Sequence, residues 1–265
     1  MTCYRYLFSV SYNGYGLSGS QKQPDSLTVY GLLEEALQRL FKQKIRCIPC
    51  GRTDAGVHAE LSYCHCDFSF SFVPSQVIRS LNHSLLSFGV IIRNIELVSN
   101  EFHSLSSADT RTYQYFFTSD YSLPNYLVHS VSLLDQPFKF IPTNNELSFL
   151  FQGHRNFFTL CNTASDTKST IRDIKSVSLN RHLYSTLFDK QIEIYCFQLT
   201  ANGFLYKMVR HIVGILLHSM MNFTNMSRLY DYLIVNRPLV YPLAPVQGLH
   251  LAEVNYNNVT KVVKS

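Results

Sequence analysis

An α+β fold in two halves, with mixed or antiparallel sheets, is what this sequence predicts. Three observations predict it. Apolar and polar residues alternate in strand-length segments along most of the chain. Helical stripes with a period near 3.6 lie between them. The order strand, helix, strand, strand, helix, strand recurs loosely twice, without the strict strand–helix alternation of a parallel sheet.

Tyr4, Tyr6, Phe8, Val10 and Tyr12 alternate with Arg5, Leu7, Ser9 and Ser11 to give a first strand, which Asn13-Gly14-Tyr15-Gly16 ends. After a polar loop through Pro24, Thr28 suits an N-cap. The helix behind it is striped by Leu33, Ala36, Leu37, Leu40 and Phe41. Strands are predicted near 44–50 and 61–68. A Pro74-led helix with Val77, Ile78, Leu81 and Leu85 follows, then a strand near 89–98. The second half opens on the strand-like Arg111-Thr112-Tyr113-Gln114-Tyr115-Phe116-Phe117. A helix led by Pro142 carries Leu147, Leu150 and Phe151. Alternating segments near 171–180 and 191–200 precede the most periodic helix, 205–220. A shorter helix near 226–235 and a strand after Gln247-Gly248 complete the chain. The predicted halves are 1–105 and 106–265. No low-complexity linker separates them, so a shared, extended sheet is expected.

Hydrophobic residues at 46% against 15% charged exclude a disordered chain, and 265 residues bury an adequate core. A net charge of +5 suits a polyanionic partner without demanding one. The opening residues show no basic region leading into an apolar block, so no export signal is expected. The most membrane-like stretch, 204–221, carries Lys207, Arg210, His211 and His218, which argues against a span. Seven cysteines without scaffold spacing then fit a reducing cytoplasm. Cys47-x-x-Cys50 followed by Cys64-His65-Cys66 has the spacing of a zinc site. On alternating strands, however, Cys64 and Cys66 share a face and His65 points away. Three strand-borne cysteines rarely converge tetrahedrally, so small core residues are the preferred reading and no metal is expected.

The segment Cys50-Gly51-Arg52-Thr53-Asp54-Ala55-Gly56-Val57-His58 is the most informative in the chain. It presents one carboxylate on a tightly turned backbone, near a guanidinium able to keep it ionised. Alone, the segment also reads as an ordinary structural turn, where aspartate and glycine are common. Half of an aspartic protease site is disfavoured, because that site wants a hydroxyl where Ala55 stands.

Five ordered blocks separate these readings. They are Thr28-Val29-Tyr30-Gly31-Leu32-Leu33-Glu34, the 52–58 loop, Glu101-Phe102-His103, Arg111-Thr112-Tyr113-Gln114-Tyr115 and the segment 201–214. Ala244-Pro245-Val246-Gln247-Gly248-Leu249 adds a closing match. Together they span most of the chain and resemble the tRNA pseudouridine synthase A family. The resemblance implies two fused ferredoxin-like halves around an electropositive central cleft, and a homodimer. It implies pseudouridine formation in the anticodon stem-loop of tRNA, at the uridines numbered 38 to 40 in tRNA convention. It implies Asp54 as the catalytic carboxylate and Tyr113 as the ring that stacks on the target base. Arg210 would pair with Asp54, and Arg52 would sit beside the flipped nucleotide.

That reaction breaks an N-glycosidic bond, turns the base and rejoins it through carbon. It has no redox step, so no cofactor is expected. It needs an ionised carboxylate beside C1′ or C6, and a base extruded at a few kcal/mol. Addition at C6, attack at C1′ and glycal formation stay open. Read on residues alone, Tyr113 is a core tyrosine sharing a strand face with Tyr115. Lys207, Arg210, His211 and His218 make a basic helix stripe, either solvated or tracking phosphates. The chain departs from the family pattern at Ser20 (usually tryptophan), Asn13 (aspartate), Tyr30 (glutamine) and Ser104-Leu105 (arginine). The rival reading is a non-catalytic tRNA-binding or tRNA-folding protein on the same scaffold, which would not need a carboxylate facing RNA.

Overall fold

The computed structural model describes residues 3–162, 169–187, 190–222, 229–230 and 241–257. The chain forms two compact units. One takes it up to Thr110 and resumes at His250; the other runs from Arg111 to Leu249. The elements are β1 (Tyr4–Tyr12), α1 (Val29–Phe41), β2 (Ile48–Pro49), β3 (His58–Phe68), α2 (Pro74–Leu85) and β4 (Val90–Val98). There follow β5 (Thr110–Thr118), β6 (Ser132–Leu133), α3 (Asn144–Phe151), β7 (Gly153–Asn156), β8 (Ile171–Ser185), β9 (Gln191–Ala201), α4 (Met208–Asn222) and β10 (Leu249–Asn255).

In the first unit β1 is central, antiparallel to β3 with Phe8 opposite Cys64, and to β4 with Phe8 opposite Ile95. The other edge of β3 is shared. Antiparallel β2 sets Ile48 opposite His65, and parallel β10 sets His250 opposite His58. The strand–helix–strand–strand–helix–strand order with sheet order β4-β1-β3-β2 is ferredoxin-like, and β10 makes the sheet mixed. Thr28 caps α1 by accepting the Gly31 N–H at 3.3 Å. α1 packs beside α2, and α2 against β4. Phe8, Val10, Leu33, Leu37, Leu81, Leu85 and Ile92 are all but wholly buried.

β1 is buried on both faces. Leu7 joins a second cluster with Val98 and Phe102, and Ser11 Oγ accepts from Arg93 Nε at 2.9 Å. The strand expected over 44–50 shrinks to Ile48–Pro49, the two residues that pair with His65 and Cys64 of β3.

His65 carries a pH dependence. Its Nδ1 accepts the Ser104 N–H at 3.2 Å, and the ring of His103 stands edge-on 4.9 Å away. Burial first, then Arg5 and His103, lowers its pKa from 6.5 to about 4. The unfolded chain therefore takes up this proton at a higher pH than the folded one. Stability from neutral His65 is complete above about 6.5 and is lost as the pH falls toward 4. Urea midpoints should fall across that window, and fall less in His65→Gln. An unchanged slope in the variant would assign the effect to another group.

The sheet of the second unit runs β5-β9-β8-β7, antiparallel throughout, with β6 parallel beside β5. Phe117 and Phe197 stack at 5.2 Å in a core that holds Tyr115, Leu147, Leu150 and Phe151, together with Met208, Ile212, Leu216 and Met220 of α4. A capping box starts α3: Thr143 Oγ1 accepts the Glu146 N–H, and Glu146 Oε2 accepts the Thr143 N–H. α4 begins at Met208, later than expected, because Lys207 sits in the left-handed region at φ 59°. The helix expected near 226–235 lies, apart from Leu229 and Tyr230, outside the described residues. No helix among the described residues is long and apolar enough to cross a membrane.

Candidate functional site

Asp54 lies in the loop between β2 and β3, half-buried, and Arg52 on the same loop is exposed. The entry to the loop is set by Cys50. Its N–H donates to Tyr63 O at 2.8 Å, and its Sγ accepts the Tyr63 N–H at 3.4 Å. The tip is a tight turn in which the Val57 N–H donates to Asp54 O at 3.2 Å, with Gly56 at φ 81°.

Thr53, next to Asp54, is gripped at three points. Its N–H donates to Ser20 Oγ at 2.8 Å, its O accepts the Ser20 N–H at 3.1 Å, and its hydroxyl lies 2.8 Å from Tyr12 Oη. Burial holds the Tyr12 phenol protonated far above its ordinary range, so it acts there as a neutral hydrogen-bonding group. The 14–20 segment runs against the loop. The Gly56 N–H donates to Leu17 O at 3.2 Å, and the Gly14 N–H donates to His58 Nδ1 at 3.2 Å. Gly19, at φ 91°, approaches so closely that a Cβ there would stand 2.8 Å from Thr53 O. The loop is thus a turn whose backbone is fastened on both sides of its carboxylate.

Three of the four cysteines weighed as zinc ligands come together. The Sγ atoms of Cys47, Cys64 and Cys66 lie within 4.8 Å of one another, all buried. The β2–β3 register brings this about: Ile48 opposite His65 sets Cys47 beside Cys66, Sγ to Sγ 3.5 Å. Cys50 and His65 turn elsewhere, to Tyr63 and Ser104. Hydrogen bonding to Cys64 and Cys66, then burial, holds the Cys47 thiol well above its usual range, and burial does the same for Cys64. At Cys66 burial pushes the other way to the hydrogen bonds from Cys47 and Cys64, and the bonds prevail, lowering it to about 6. Two of the three thiols are thus held protonated, and a soft ion would first have to displace those protons at a desolvated site.

The second unit carries Tyr113 and Arg210. Tyr113 of β5, opposite Leu199 of β9, is half-buried, and its ring and that of Phe204 meet at 90° with centroids 5.2 Å apart. Tyr115, two positions on in the same strand, is wholly buried. Arg210, in the first turn of α4, donates from Nε to Ala244 O at 2.9 Å, and the Ala244 N–H returns to Arg210 O at 3.2 Å. The closing segment is thereby tied to α4. His211 leaves the basic stripe. Its Nε2 lies 2.7 Å from Asn162 Oδ1 and its Nδ1 3.0 Å from Tyr241 Oη, and burial, then Arg210 and Lys207, lowers its pKa. It is uncharged at neutral pH. Lys207 Nζ stands 5.0 Å above the ring of exposed Tyr206. Sequence reasoning missed Tyr12, Gly14, Ser20 and Phe204; each acts by a contact remote in sequence or by a backbone conformation.

Comparisons with known proteins agree along the chain. A family model described as tRNA pseudouridine synthase matches residues 148–257. The chain is 31% identical to the tRNA pseudouridine synthase A of Limosilactobacillus reuteri over 259 residues, which is 96% of this chain and 97% of the relative. It is 32% identical to tRNA pseudouridine synthase A 1 of Bacillus cereus over 256 residues, covering 94% and 98%. The tRNA pseudouridine synthase A of a Geobacillus species is also 32% identical, over 258 residues covering 94% and 97%.

Proposed function

This chain belongs to the tRNA pseudouridine synthase A family, whose members are isomerases acting on tRNA, and on that premise we propose that it converts uridines 38 to 40 of the anticodon stem-loop. In this reading Asp54 is the catalytic carboxylate, and Tyr113, Arg52 and Arg210 bind the extruded nucleotide. The observation that supports it most is the loop itself. A carboxylate that needed no access to substrate would not require a half-open turn with its backbone fastened on both sides. Tyr113 offers a ring face for the base, steadied by the edge-on Phe204. Arg52 and Arg210 supply guanidinium groups suited to phosphate or carboxylate. The protein works as a homodimer in the cytoplasm, without a small-molecule cofactor.

Mapping pseudouridines in unmodified tRNA transcripts incubated with the protein tests the substrate. Product should be confined to positions 38 to 40 and vanish when those uridines are replaced. Modification elsewhere would move the specificity while leaving the reaction in place. The tRNA affinity should fall steeply and linearly in log–log form with added salt, as phosphate contacts release counterions. An affinity indifferent to salt would contradict recognition through the backbone. Light scattering should give twice the mass of one chain.

A further inference from the structure

Ser20, on the segment that runs against the Asp54 loop, is 1% exposed. Each polar group of Ser20 faces a backbone partner. Its Oγ accepts the Thr53 N–H at 2.8 Å, and its own N–H donates to Thr53 O at 3.1 Å. Its O accepts the Tyr30 N–H at 3.0 Å, while Gly19 O accepts the Val29 N–H at 3.2 Å. The last two bonds satisfy amide groups in the first turn of α1, which have no partner within the helix. One residue therefore links a helix start to the peptide directly before Asp54.

We infer, resting on the reading of Asp54 as the catalytic carboxylate, that Ser20 is a positioning residue: its hydroxyl holds the Arg52–Thr53 peptide and its N–H the Thr53–Asp54 peptide, and together these set the direction in which the Asp54 side chain projects. The neighbouring Tyr12–Thr53 contact holds the same residue by its side chain, so the carboxylate inherits its direction from two remote hydroxyls. Losing one leaves Asp54 present but mis-aimed, which slows the chemical step without changing what the RNA touches.

Three variants test this. Ser20→Ala removes the acceptor at nearly constant size. Ser20→Thr and Ser20→Cys add similar bulk, but a thiol is the weaker acceptor. Initial rates on tRNA give kcat and KM, with thermal midpoints measured on the same preparations. Ser20→Ala should lose ~10-fold in kcat with KM unchanged within about twofold. Ser20→Thr should keep most of the rate, and Ser20→Cys should fall between. Wild-type kcat in Ser20→Ala overturns the inference. So do equal rates in the threonine and cysteine variants, or rates that follow the thermal midpoint, since these mark packing alone. If Ser20→Ala does not fold, the threonine–cysteine pair still decides. Asp54→Ala run alongside separates the two readings. Activity in that variant removes the role of Asp54, whereas an inert Asp54→Ala beside a normal Ser20→Ala removes only the role of Ser20.

Discussion

Asp54→Ala is expected to abolish pseudouridine formation, and Asp54→Asn to do nearly the same. The readout is tritium released to water from tRNA labelled at uridine C5, since label leaves only if the base is rejoined through that carbon. The step needs an ionised carboxylate. Asparagine keeps the shape and an acceptor oxygen but loses the charge, so it discriminates chemistry from packing. Loss of a sole nucleophile or base lowers turnover by at least ~1,000-fold, or about 4 kcal/mol of transition-state stabilisation. tRNA binding should change by less than about threefold, because phosphate contacts dominate affinity. The fold should survive, since the turn is held by the Ser20, Tyr12 and Leu17 contacts and not by the carboxylate alone. Turnover within tenfold of wild type would move the catalytic group elsewhere. A wild-type protein that binds tRNA but releases no label would favour the non-catalytic rival.

What could be read from the sequence was whatever is local. The Thr28 cap and the Leu33, Ala36, Leu37 stripe stand as expected, because capping and helical periodicity act within a few residues. The Asp54 turn was legible for the same reason: its glycines and its aspartate are neighbours. The supports of the turn were not. Ser20 and Tyr12 lie 33 and 41 positions from Thr53, and no periodicity links them. The burial of β1 on both faces depends on residues remote in sequence, such as Phe102 packed with Leu7, which alternation along one strand cannot reveal. The convergence of Cys47 with Cys64 and Cys66 hides in the same way, in the register of a two-residue strand against β3. At α4 the helical stripe was right, but its start was set by Lys207 in a left-handed conformation that composition does not announce.

Gly14→Ala should be the most damaging small substitution in the first unit, although alanine for glycine in a loop ordinarily stabilises by about 0.4–1 kcal/mol through the unfolded chain. Here a Cβ would stand 2.1 Å from Val57 O, 2.6 Å from Val57 C and 2.8 Å from Gly56 C. All three are backbone atoms, so no side chain can swing away, and the loop must retreat by about an ångström. Overpacking of that kind costs roughly 1–3 kcal/mol, which outweighs the entropic gain. The displaced atoms follow Asp54 by two and three residues, and the Gly14 N–H to His58 bond moves with them. A shift of that size at a reacting group costs ~100-fold in rate. Gly14→Ala should therefore lower the urea midpoint and cut kcat by about that factor, with tRNA affinity little changed. Gly51→Ala is the matched control: it lies in the same loop, yet a Cβ there meets nothing within 4 Å, so activity and stability should stay near wild type. Equal behaviour of the two variants would show that the 14–20 segment does not constrain the turn, and that the carboxylate takes its direction from something other than this close approach.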